Sequence, residues 1–200
     1  MRLMLVLATM AAVLTAGCRN PDARAEGPEI TGRVVDSLVP REEALRRFRE
    51  GLAPVDSLAG GAESRDALVA AFVRALGAAD TAALAELAIT PAEFAYLYYP
   101  TATQALPPYD LEPRLMWFML FEQSNQGIRR ALRRHGGGAM RLADYDCGAG
   151  RQREGENTIH GPCVVRLVDQ RGDTLAAPLL SRILERGGRH KVLSYANKLD

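Results

Sequence analysis

The order of patterns along the chain predicts an α+β fold, with N-terminal helices packed on one face of a curved antiparallel C-terminal β-meander. Three observations carry this. Apolar residues recur at helical spacing as far as residue 135. After Gly136-Gly137-Gly138 the period shortens to that of strands. The last three apolar runs are joined by short links, as hairpins require. The chain has 200 residues, 48% of them hydrophobic, enough for a single domain over 33–200 with helices in 40–135 and the meander in 139–197.

The chain opens on a leader. Arg2 is followed by an uncharged apolar run, Leu3 to Ala16, too short to span a bilayer. Small residues Ala16 and Gly17 then precede Cys18, and 1–17 reads as a signal peptide. Leu14-Thr15-Ala16-Gly17-Cys18 resembles the lipobox of bacterial lipoproteins, with Thr15 standing where Leu is commoner. The resemblance implies acylation of Cys18 and a membrane anchor, since each buried methylene contributes about 0.8 kcal/mol. It also implies export to the cell envelope. Arg19, rather than Asp, implies the outer membrane facing the periplasm. An ordinary secretory leader with an incidental Cys is the alternative. Residues 18–32, with Asn20-Pro21 and Gly27-Pro28, read as the lipidated Cys and a flexible tether.

Helices follow. Pro40 suits a first helical position, and Ala44, Leu45, Phe48 and Leu52 share one face of a helix over 40–52. Gly60-Gly61 breaks the chain. Leu68, Ala71, Phe72, Ala75 and Leu76 define the clearest helix, ended by Gly77. Asp80 or Thr81 caps a short second one through Leu87. Thr90-Pro91-Ala92-Glu93 is a capping box that starts a helix ended by Pro100. A long helix begins near Glu112 and Pro113 and reaches Arg134. Its segment 115–121 is apolar all round and is expected to be buried on most sides. The cations Arg129, Arg130, Arg133, Arg134 and His135 suit its C-terminal dipole; a patch for anionic lipid or glycan is the alternative.

Strands are expected over 140–146, 163–169, 175–185 and 190–197, with turns at 170–173 and 186–189 and a polar loop over 148–161. Arg171-Gly172-Asp173 is ordinary turn chemistry rather than an adhesion signal. Cys147 and Cys163 form an even pair in an exported chain, which predicts a disulfide; free thiols or half a metal site are the alternatives. No metal is expected, because His135, His160 and His190 stand at no ligand spacing from either Cys.

The helix, Ala-Asp-Thr turn and helix of 65–88, together with a terminal meander ending Arg189-His190-Lys191-Val192-Leu193-Ser194-Tyr195-Ala196-Asn197, resemble the NTF2-like (cystatin-like) superfamily. Family members place a first strand after the second helix, where this chain has the helical 90–100. The resemblance implies a concave pocket between sheet and helices, with Tyr96, Tyr99, Trp117, Asp144, Asp146, Arg166 and His190 as candidate lining. Packing is the alternative for the aromatics, and a solvated strand end for the acids. Asp144 and Asp146 share one strand face, which suits paired carboxylates or a cation; His190 is expected at an exposed strand start.

Enzymes of the resembled superfamily of the ketosteroid-isomerase type need an acidic base and a first-helix donor, yet 68–76 offers no inward Tyr or Asp. No nucleophile triad, phosphate loop or zinc-helix motif occurs, and no cofactor is expected. A leader removed at Cys18 takes Arg2 from 25 basic residues facing 24 acidic ones, so the remaining chain is neutral and gives no case for nucleic acid. The expectation is a non-enzymatic, lipid-anchored domain binding an envelope protein or small ligand. The alternative is a small-molecule isomerase, dehydratase or hydrolase using Asp144 or His190.

Overall fold

The computed structural model describes residues 39–198. The leader, Cys18 and the tether lie outside the described residues. The helices are α1 (Arg41–Arg49), α2 (Arg65–Gly77), α3 (Thr81–Leu87), α4 (Pro91–Glu93) and α5 (Pro113–His135). The strands are β1 (Arg141–Asp146), β2 (Arg151–Glu154), β3 (Asn157–His160), β4 (Cys163–Val168), β5 (Thr174–Arg186) and β6 (Arg189–Tyr195). Helices therefore precede an antiparallel sheet of six strands, an α+β fold.

Local chemistry explains the helix starts. The Ser64 and Asp80 side chains accept from the backbone N–H groups of Ala67 and Ala83, capping α2 and α3. At α4 the capping box is complete, with Thr90 accepting from Glu93 N and Glu93 accepting from Thr90 N. The chain then widens into a π turn over Phe94–Tyr98 and tightens into a 3-10 turn over Tyr99–Thr101. Glu112 caps α5. Pro40 is the N-cap of α1 rather than its first helical residue.

The long β5 is the spine of the sheet. One of its edges pairs with β4 through Thr174–Leu180 and then with β3 through 183–185; the other pairs with β6. β1 lies outside β4, and β2 outside β3. The outer edge of β6 is also occupied: Ala62 and His190 exchange backbone bonds, Ile89 N donates to Val192 O, and Tyr195 N donates to Ser124 Oγ. An edge closed in this way offers no template for another strand.

The expected loop over 148–161 is instead the β2–β3 hairpin. Its strands are short and its outward residues polar, so apolar alternation did not reveal them. Gly155, at φ 64°, opens a two-residue turn with Glu156, and a Cβ there would lie 2.6 Å from the Thr101 side chain.

Helices cover both faces of the sheet at β6, not one. Val192 joins an apolar cluster with Leu68, Phe72 and Leu76 of α2, while its neighbour Leu193 joins another with Phe94, Tyr98 and Met116. Neighbouring strand residues point to opposite faces, so β6 is the wall between two cores. Each fully buried Phe or Leu contributes about 1.5–3 kcal/mol. The long helix serves both clusters, and it approaches β6 closely at Gly127, where a Cβ would lie 2.3 Å from Ala196 O.

Segment 115–121 is not buried on most sides. Leu115, Phe118, Met119 and Phe121 are exposed, and only Met116 is fully buried. Cys147 and Cys163 are joined in a disulfide linking the end of β1 to the start of β4. The cross-link closes a loop of 16 residues, worth about 3 kcal/mol on the chain-entropy account.

Candidate functional site

Two features beside β6 stand out: an apolar groove along its outer edge, lined from both apolar clusters, and a polar cluster. The groove, of about 460 Å³, runs between α3–α4 and α5 over a floor of Leu193 and Tyr195. Leu84, Ile89, Trp117, Leu120 and Ile128 supply its walls. Arg129 and Tyr195 are the titratable side chains among its lining residues. The Tyr195 hydroxyl donates to Leu84 O at 2.7 Å, and burial raises its pKa far above the usual phenol value. A phenol so held is a poor acid or base at neutral pH.

On the α2 face of the sheet, β3, β5 and β6 bring His160, Glu185 and His190 together. Their register does this: Glu185 pairs directly with His190, and His160 lies opposite Ile183. His160 Nε2 is 2.6 Å and His190 Nε2 is 3.6 Å from the same carboxylate oxygen, Glu185 Oε2. The two rings stack 6.4 Å apart. Arg65 Nη1, at the start of α2, reaches His160 Nδ1 at 3.5 Å. Arg donates only, so Nδ1 accepts and Nε2 carries the proton shared with Glu185. The hydrogen bond from His160 holds the Glu185 carboxyl below the usual carboxylate range, helped by the charges of His190, His160 and Arg65. Burial pushes the His190 pKa down, joined by His160 and Arg65 and opposed by Glu185 and the Ala62 backbone.

The next residue, Lys191, turns to the opposite face and is buried with Glu93. Lys191 Nζ donates to Glu93 Oε2 at 2.9 Å and to Ala59 O at 3.0 Å. Glu93 also accepts from Ala59 N and Thr90 N. Both charges are thus paired and hydrogen-bonded, the condition for burying them.

The seven residues nominated from sequence do not meet in one cavity. Trp117 lines the groove, packed against Phe94 and Phe121. Tyr99 is buried, and its hydroxyl donates to Leu111 O at 2.8 Å. Tyr96 is half-buried beneath the Arg49 guanidinium, 4.3 Å above its ring. Asp144 and Arg166 form an ion pair at 2.5 Å on the open side of β1 and β4, with Asp144 exposed. Asp146 accepts from Gly148 N in the turn after β1. His190 is buried, not exposed as expected, because Ala62 bridges the outer edge of β6 beside it.

Sequence reasoning missed Glu185, His160 and Arg65. A signal existed for one contact: the Gly187-Gly188 turn sets the register that places Glu185 opposite His190. His160 was hidden because its strand read as loop. The Glu93–Lys191 pair had no local signal, since its partners are 98 positions apart. Comparisons with protein families, with curated proteins and with solved structures found no match.

Proposed function

We propose that this chain is a non-enzymatic, lipid-anchored domain of the bacterial cell envelope, held through Cys18 at the outer membrane and facing the periplasm. Its groove takes a small apolar ligand. The groove itself carries the binding reading: its walls are apolar, and neither Arg129 nor the hydrogen-bonded Tyr195 is suited to acid–base chemistry. The leader motif and the Cys147–Cys163 disulfide support the address, since disulfides persist outside the cytosol.

The finer fold reading is NTF2-like. The α2–turn–α3 unit and the terminal meander support it. So does Ala88, just after α3, which makes one parallel bridge to Val192 where family members place a strand.

Titrating a fluorescent apolar probe tests the groove. Ala85→Trp, at an exposed position of the groove wall, should weaken probe binding by at least about tenfold. Equal binding by both proteins would remove the ligand reading. The anchor is tested separately, by loss of palmitate labelling and membrane retention in Cys18→Ser.

A further inference from the structure

We propose that His160, His190 and Glu185 form a binding site for a divalent transition metal of the zinc class. Two imidazoles and one carboxylate are the donor set that borderline metals prefer, whereas calcium and magnesium take oxygen. The three donor atoms lie within 4.8 Å of one another, and two of their separations are 2.6 and 3.6 Å. Ligands about 2.0–2.1 Å from a tetrahedral zinc sit roughly 3.3 Å apart, a value inside that span. All three are carried on strands that pair with one another, so the backbones that present them are held in register.

Burial argues the same way. The His160 and His190 side chains are 5% and 10% exposed, while Glu185 is 36% exposed and leaves an entry path. A structural His–Glu pair needs one imidazole. Here a second is buried with its Nε2 at 3.6 Å from the same oxygen, beyond hydrogen-bond distance and close to the spacing of two ligands on one metal. A metal takes that Nε2 lone pair and leaves the ring proton on Nδ1. At His160 the proton moves from Nε2 to Nδ1, and Arg65, at the long limit of a hydrogen bond, swings outward. Three protein ligands leave a position for water. The expectation of no metal weighed the histidines only around the cysteines, which this site does not use.

The test is titration of the untagged full chain, stripped with chelator, against Zn²⁺ in competition with a zinc-binding dye. One ion per chain should bind. His160→Ala, His190→Ala and Glu185→Gln should each weaken it by at least about tenfold, the usual scale for a lost ligand. Asp144→Ala should leave it unchanged. Equal affinity in the wild type and the His160→Ala/His190→Ala double variant would overturn the site. Should these variants fail to fold, ¹⁵N spectra of the wild-type imidazoles decide. Zn²⁺ must shift the His160 and His190 rings but not His135; any other pattern overturns the assignment.

Discussion

Successive residues of β6, His190 and Lys191, enter buried polar clusters of opposite character. On one face Lys191 and Glu93 leave nothing unpaired: the ammonium meets a carboxylate and a carbonyl, and that carboxylate also receives two backbone N–H groups. On the other face His190 keeps an unpartnered nitrogen, shares one oxygen with His160, and borders a half-exposed carboxylate. The first arrangement is closed to any visitor and ties the capping box of α4 to the sheet. The second has spare coordinating capacity and an opening. Completeness of hydrogen bonding separates a staple from a site better than burial does, since both are buried.

The largest expected effect breaks the closed cluster. Glu93→Gln strands the Lys191 ammonium in a dry core, and chemical denaturation should show a loss of about 3–5 kcal/mol. Glu93→Gln combined with Lys191→Met should recover much of that loss, because no charge is then left alone.

An intermediate effect belongs to the open cluster and appears through pH. The His190 pKa is depressed in the folded chain, so unfolding takes up a proton that the native state refuses. Stability therefore falls as pH drops below the unfolded value near 6.5. Glu185 is also depressed, and its contribution is lost at lower pH, as the carboxyl titrates. Urea midpoints should decline with acidification in the wild type and decline less steeply near pH 6.5 in His190→Asn. Equal slopes would remove His190 from the account.

The smallest effect serves as the solvent reference. Asp144→Ala breaks an ion pair whose side chains are 43% and 54% exposed, and should cost no more than about 1 kcal/mol. A much larger loss would mean that exposure does not grade these pairs as argued.

Much of the fold was legible. The caps at Asp80, Thr90–Glu93 and Glu112 mark helix starts because each is a hydrogen bond spanning only three residues. The meander was legible because Gly187-Gly188 and the turn at 170–173 set antiparallel neighbours. The β2–β3 hairpin was not, since Arg151, Gln152 and Arg153 are exposed and lack apolar alternation. Nor was the exposure of Phe118: a sequence shows that a helix is apolar all round, but not which of its sides a neighbour covers.

The sequence by itself determined the α+β order, the helix starts and the cysteine pair, because each depends on contacts a few residues long or on a count. Tertiary structure alone decided that β6 would separate two cores, that Glu93 would meet Lys191, and that Arg65 would stand over His160. Those contacts join elements as many as 98 positions apart, and their energy exists only once the sheet has fixed which face each side chain occupies.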